Sequence, residues 1–299
     1  MNALTFAHIS DLHLPFDPRL APAQRLSKRQ LSAWSWRRRR HLQRPEILEA
    51  LVADLGAHRP DHLVITGDVT NFSLPEEFRR AAVWLEALAP PGRLSLVPGN
   101  HDALVSVAEA EGLGLWQAWA RSGGDWPYVH RRDGVAFIGL NSAVPTAPLL
   151  ASGRLGHRQL ERLESILAAE AAAARLRIVM LHHPVADHAV SRRKALADRA
   201  ALRAVLERVG AELVLHGHAR DARLDSVSGP RGPIPCVCVP SSSALPSPHD
   251  EGARWHYVTL PAAGQPWRAD VLVRQWSVAD AAFVDAARYE LCLPRAGIE

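Results

Sequence analysis

LTFAHISDLH (residues 4–13) and LVITGDVTN (63–71) follow one plan: a short apolar run of strand-forming residues, then a polar turn carrying carboxylates or imidazoles. The plan recurs in RLSLVPGNHD (93–102), RIVMLHHP (177–184) and ELVLHGHAR (212–220), and the apolar run alone recurs in VAFIGL (135–140). Such runs read as strands buried on both faces. Between them lie helical patterns at 46–58 after Pro45, at 75–89 from Pro75, around Trp116 and Trp119, at 157–174, and at 192–209 ending on Gly210. Proline in the first turn and glycine just past the last are start and stop signals. Strands alternating with helices predict an α/β layered fold. After Arg220 the helical patterns stop, and PCVCVP (235–240), WHYVTL (255–260), ADVLVRQW (269–276) and RYELCL (288–293) predict antiparallel strands.

Composition narrows the class. The chain has 299 residues, 47% hydrophobic and 22% charged, with no apolar run long enough to span a bilayer, so disordered, collagen-like and membrane-spanning classes are excluded. A chain of this size buries roughly three quarters of its unfolded surface. The reading is one domain over 1–299, with a basic insertion or cap at 15–45 and strands of 221–299 completing the second sheet. Three cysteines, two of them the close pair Cys236 and Cys238, make neither a disulfide framework nor a CxxC zinc site. With no basic, apolar leader at the N-terminus, the expectation is a reducing, cytoplasmic setting.

Charge is concentrated in one place. Residues 19–44 hold nine Lys or Arg and no acid, whereas the remainder carries 26 basic against 31 acidic residues. The segment reads either as a solvated basic helix or loop edging the site, or as a cap in which Trp34 and Trp36 flank Arg37–Arg40 and meet anionic lipid or another polyanion. Single-stranded nucleic acid is a further candidate.

The polar clusters all stand where a strand ends: Asp11 and His13, Asp68 and Asn71, Asn100 to Asp102, His182 and His183, His216 and His218. In open α/β sheets ligands bind at that carboxyl edge. Imidazole nitrogens, carboxylates and an amide oxygen together suit zinc, manganese or iron. Two cations about 3.5–4 Å apart repel, and a bridging carboxylate offsets part of that repulsion. The pair polarises a phosphoryl group and lowers the pKa of a bridging water, so phosphoester hydrolysis is the expected reaction.

The ordered series DLH, GDVTN, GNHD, HHP and HGH resembles the calcineurin-like metallophosphoesterases, in particular the bacterial branch with class III cyclic-nucleotide phosphodiesterases. That resemblance implies a four-layer αββα sandwich of two facing mixed sheets and a small phosphoester substrate. It implies two divalent ions (Mn, Fe or Zn), with Asp11 and His13 on the first, Asp68 as bridge, and Asn100, His182 and His218 on the second. It makes His101 the proton donor, oriented by Asp102, and gives Asn71, His183 and His216 supporting positions. The family's last motif usually ends GHxH, but here the final position is Arg220, and a guanidinium cannot ligate a cation. Arg220 is therefore read either as leaving the first ion with three protein ligands or as a phosphate-gripping group in a one-metal enzyme. A non-catalytic binding module on this fold, and a nuclease or nucleic-acid-binding protein, are the alternative functions.

Overall fold

In the computed structural model the rings of Phe6 and Phe137 meet edge to face across the gap between two β-sheets, their centroids 5.8 Å apart. The structure describes residues 3–120, 125–247, 250–262 and 268–294; the side chains of Ala23 and Arg39 lie outside that description. In chain order the elements are β1 (Leu4–Ile9), α1 (Lys28–Arg39), α2 (Pro45–His58), β2 (His62–Ile65), α3 (Pro75–Leu88), β3 (Leu94–Leu96), α4 (Gln117–Ala120), β4 (Tyr128–Arg132), β5 (Val135–Gly139), α5 (His157–Ala172), β6 (Leu176–Met180), α6 (Arg199–Val209), β7 (Leu213–His216), β8 (Arg223–Val227), β9 (Ile234–Cys238), β10 (Arg254–Leu260), β11 (Arg268–Ser277) and β12 (Ala282–Cys292).

Six strands form the first sheet in the order β12-β11-β10-β1-β2-β3, and six form the second in the order β4-β5-β6-β7-β9-β8. Each is mixed. β1 to β3 run parallel in the first sheet, and β5, β6, β7 and β9 run parallel in the second. Their residues alternate between two cores. Leu4, Phe6 and Val64 pack with Phe137, Ile178 and Leu215 between the sheets. Ala7, Ile9 and Ile65 pack instead with Leu51 and Phe78 of α2 and α3, and Ile138, Val179 and Val214 pack with Leu163 and Leu202 of α5 and α6. Both faces of the parallel strands are thus buried, which is why they read as continuous apolar runs. The outcome is the expected αββα sandwich. Trp116 and Trp119 are core residues, their indole N–H groups donating to the carbonyls of Phe78 and Ala89 at 3.1 Å.

Several boundaries differ from the sequence reading. The strands after Arg220 do not all complete the second sheet: β8 and β9 do, whereas β10 to β12 return to the first, where β10 lies antiparallel to β1 with Phe6 opposite Val258. Crossing back lets Val258, Leu260 and Val271 fill the inter-sheet core. β4 and β8 are edge strands whose sequences, YVHRR and RLDSV, carry charge because one edge and part of a face meet solvent. The helix expected from 192 starts at Arg199, because residues 193–197 bond instead to the 151–153 segment, the Ala197 amide donating to the Gly153 carbonyl at 2.9 Å. The basic segment contains a true helix, α1, pinned by Ala33 and Trp36 against Phe72 and Leu74.

Phe6 holds the two sheets in register, so Phe6→Ala should lower the unfolding free energy by about 3–5 kcal/mol, read from urea denaturation. A loss under about 1 kcal/mol would mean that the inter-sheet core is not the principal tie.

Candidate metal centre

β1, β2, β3, β6 and β7 all end at one edge of the sandwich, and the turns beyond them are knitted together. The amides of Asp11, His13 and Leu14 donate to the carbonyls of Gly67, Asp68 and Val69, each at 2.9 Å. The turns take left-handed backbone at Asp11, His13, Asp68, His218 and Arg220, with φ between 43° and 68°. For non-glycine residues such angles cost energy, and they recur where function demands the geometry. Gly67, at φ 99°, has no alternative: a Cβ there would stand 2.6 Å from the Gly99 nitrogen and 2.8 Å from the His182 ring. A Cβ on Gly217 would reach within 2.6 Å of an Asp11 carboxylate oxygen.

Four histidines at this edge share one device. A carbonyl only accepts, so a ring nitrogen bonded to one carries the hydrogen and leaves its partner nitrogen bare. His182 Nδ1 donates to Thr66 (2.7 Å), His13 Nδ1 to Thr70 (3.3 Å), His101 Nδ1 to Asn71 (2.9 Å) and His218 Nε2 to Lys194 (2.9 Å). The bare Nε2 of His182 then faces Asn100 Oδ1 at 3.2 Å, His218 Nδ1 at 3.1 Å and Asp68 Oδ2 at 3.4 Å. With the His182 ring neutral, four acceptors converge with no hydrogen among them. His13 Nε2, buried and without a hydrogen-bond partner, lies 3.9 Å from the same Asp68 oxygen. Among the described residues two groups of donors lie close enough to share an ion, and Asp68 belongs to each, in one with His13 and His101 and in the other with Asp11 and His182. This donor set fits divalent cations.

Electrostatics say the same. Burial alone would lower the His182 pKa, but the Asp68 carboxylate raises it to about 9, so positive charge is favoured at that point. Burial would raise Asp68, yet His182 and His101 hold it well below the usual carboxylate range. His13, with the same burial and less compensation, is pushed down to about 3 and presents a neutral ring. Asp11 is raised by burial, and its carboxylate accepts from Ser10 Oγ at 2.7 Å and the His218 amide at 3.1 Å.

The other expected residues sort by contact. His183 uses both nitrogens, on Ser142 Oγ (2.8 Å) and the Ala151 carbonyl (3.2 Å), and so has none to offer an ion. His216 is buried beneath the site, Nδ1 on the Gly217 carbonyl at 3.2 Å, and lines no part of the cavity above. Asp102 does not orient the His101 ring, as the resemblance implied. Its carboxylate accepts from the Gly99 and Thr70 amides (2.8 Å each) and Thr70 Oγ1 (2.9 Å), tying the turn after β3 to the turn after β2, while the Asn71 carbonyl orients the ring. Asn71 is itself held through Nδ2 on the Leu14 carbonyl.

Two supports were not read from the sequence. The Glu77 carboxylate accepts from the amides of Asn71, Phe72 and Leu74 at 2.8–3.0 Å, so the turn bearing Asn71 is fixed by the first turn of α3. Its signal was the acidic residue two positions into a helix opened by Pro75. Ser241, Ser242 and Ser243, after β9, bind the 10–12 turn: Ser241 Oγ donates to the Asp11 carbonyl (2.8 Å) and Ser243 Oγ to that of Leu12 (2.7 Å).

Above the centre is a cavity of about 420 Å³ floored by His13, His101, Asn71 and Arg220 and roofed by Trp36 and Gln43 of the basic segment. The Gln43 side-chain amide lies 2.6 Å from Ser243 Oγ, so the roof is fastened to the same serines that hold the floor. Arg220 stands at the floor, its charge felt by both His13 and His101.

Replacing Asp68 by Asn keeps its shape but removes the charge common to both groups. Asp68→Asn should abolish tight binding of a metal pair, read by elemental analysis and by loss of any metal-induced rise in Tm. Two tightly held ions with full activity would contradict the assignment.

The calcineurin-like phosphoesterase family model matches residues 4–219. A probable cyclic nucleotide phosphodiesterase of Synechococcus sp. is 25% identical over 271 residues, covering 90% of this chain and 91% of that protein. Another, from Rhodococcus erythropolis, is 33% identical over 181 residues, covering 58% of this chain and 55% of its own. The fold is that of a dimetal phosphatase from Danio rerio, with a TM-score of 0.58 at 14% identity over 98% of this chain and 99% of that one. With its motifs gathered at one edge and its family model spanning most of the length, the chain belongs to the calcineurin-like phosphoesterases, hydrolases of phosphoric esters.

Proposed function

We propose that the protein hydrolyses a phosphodiester, with the phosphoryl group over the metal centre and the departing alcohol in the roofed cavity. One observation carries the reading: Asp68 is common to both donor groups, and its partners His13 and His101 line a cavity together with Arg220. A space of about 420 Å³ accommodates a small organic ligand. Cyclic nucleotides are the first substrates to try, given the names of the relatives.

Asp11, His13 and Asp68 would hold one cation, and Asp68, Asn100, His182 and His218 the other. Such ions, manganese, iron or zinc, supply Lewis acidity toward a phosphoryl oxygen and a nucleophilic water. The chain's own groups do the rest. His101 lines the cavity with its Nδ1 hydrogen fixed on Asn71; it takes up a proton from solvent at Nε2 and, as imidazolium, delivers that proton to the leaving alkoxide. Asp102 keeps the His101 turn at its distance from Asp68, whose Oδ1 accepts the His101 amide at 2.7 Å. Arg220 grips a non-bridging phosphate oxygen, and the first ion makes do with three protein ligands, a workable catalytic set. A reducing, cytoplasmic setting goes with the three cysteines, all free. Among the described residues no helix is long and apolar enough to cross a membrane.

His101→Ala should retain its metal yet lower turnover of cyclic AMP or a glycerophosphodiester by about 100-fold or more. The loss should shrink for bis(p-nitrophenyl) phosphate, whose leaving group needs no proton. An undiminished rate on the alkyl ester would remove His101 from the chemistry.

Arg220→Ala should raise KM about tenfold for a diester with metal content unchanged, and Arg220→His should lower the manganese needed for half-maximal activity. An unchanged KM in the first variant, or an unchanged manganese requirement in the second, would overturn the proposed division of labour at this position.

A further inference from the structure

Three segments distant in sequence meet beside the metal centre, and none carries an acid. Residues 19–44, 142–155 and 188–197 contain nine, one and three Lys or Arg respectively and no Asp or Glu. They are stitched together. Lys28 Nζ donates to Thr146 Oγ1 and the Leu150 carbonyl at 2.7 Å, the Ala151 amide donates to the Arg193 carbonyl at 2.9 Å, and the Lys194 carbonyl holds His218. Lys28 and Arg29 are turned onto the body of the protein, Arg29 donating to the carbonyls of Phe72 and Ser73. By contrast Arg25, Arg37, Arg38, Arg40, Arg192 and Arg193 are exposed. Asp187, the acid next to the third segment, is already paired with Arg199 and Arg203 at 2.7 and 2.8 Å.

The same segments expose apolar side chains that a purely electrostatic surface does not need. Leu26 is 94% exposed, Leu149 76%, Trp34 54% and Leu31 45%. Leu149 sits in a left-handed turn at φ 68°, a conformation that costs a leucine energy while holding it out in solvent. Trp34 has the Arg38 guanidinium 3.5 Å from its ring centroid, so one face of the indole is already covered. Helix α1 divides the two environments, with Ser32 and Trp36 lining the cavity and Trp34 facing outward.

Leucines flanked by exposed arginines suit the boundary between lipid headgroups and acyl chains, where apolar side chains insert and cations meet phosphate. Single-stranded nucleic acid would instead be served by open aromatic faces, and here three of the four apolar groups are leucines. We infer that these segments form a docking surface for an anionic phospholipid bilayer, placing the cavity beside the headgroups. The inference does not depend on which phosphoester is cleaved.

The test is co-sedimentation of the whole protein with vesicles of phosphatidylcholine alone or with about 30 mol % phosphatidylglycerol. Binding should require the anionic lipid and weaken at least tenfold between about 50 and 500 mM salt. Replacing Arg37, Arg38 and Arg40 with Ser should weaken it by about 100-fold. Leu26→Ser with Leu149→Ser should weaken it by about tenfold and leave binding to oligo-dT unchanged. Both variants should turn over bis(p-nitrophenyl) phosphate within about threefold of the parent, because neither touches the metal centre. Binding indifferent to lipid charge, indifference to the leucine changes, or tighter binding to oligo-dT than to vesicles would each overturn the inference. The lipid and salt dependence of the unaltered chain decides the matter even if a variant misfolds.

Discussion

Acceptors crowded together without a hydrogen between them repel, and the edge of this sandwich is built around such a crowd. His182 Nε2, His218 Nδ1, Asn100 Oδ1 and Asp68 Oδ2 lie within 3.1–3.4 Å of the first of them, and each imidazole has its other nitrogen committed to a backbone carbonyl. Rotating a ring to relieve the repulsion would strand that carbonyl and an N–H inside the protein, a cost of about 1–3 kcal/mol per group. The arrangement is stable only with positive charge at its centre. A proton on His182 supplies one such charge, as its rise to about 9 expresses, and a divalent cation supplies two.

The rest of the fold serves to impose that crowding. Two mixed sheets bring the carboxyl ends of their parallel strands to one edge, and residues from turns more than 200 positions apart make contact there, as when the His218 amide donates to Asp11 across 207 positions. The left-handed angles at Asp11, His13, Asp68 and His218 are sustained because the turns bond one another, the Asp102 carboxylate clamps two of them, and the serines after β9 clamp a third. The roof is fastened at the same point through Gln43. Site and cavity are therefore one mechanical unit.

The candidate ligand residues were legible because each closes an apolar run, and a buried parallel strand leaves no room for polar side chains until it ends. What stayed hidden has physical reasons too. The carbonyls of Thr66, Thr70, Asn71 and Lys194 set the imidazole tautomers, and a backbone carbonyl leaves no mark on residue identity. For the same reason Asp102 looked like a partner of its neighbour His101, when its bonds run to Thr70 and Gly99. β10 to β12 carry an antiparallel signature that does not say which sheet they join; the pairing of β10 with β1 decides it. α1 was ambiguous because KRQLSAWSWRRR is polar almost all round, and its apolar anchors are the two residues Ala33 and Trp36, beside the polar contacts of Lys28 and Arg29.

The central claim is that Asp68 serves two cations at once, and manganese titration followed by electron paramagnetic resonance tests it directly. The account predicts uptake of about two ions per chain, with the sharp signal of isolated manganese giving way to the broad pattern of an exchange-coupled pair. Saturation at one ion, with an isolated-manganese spectrum throughout, would contradict it.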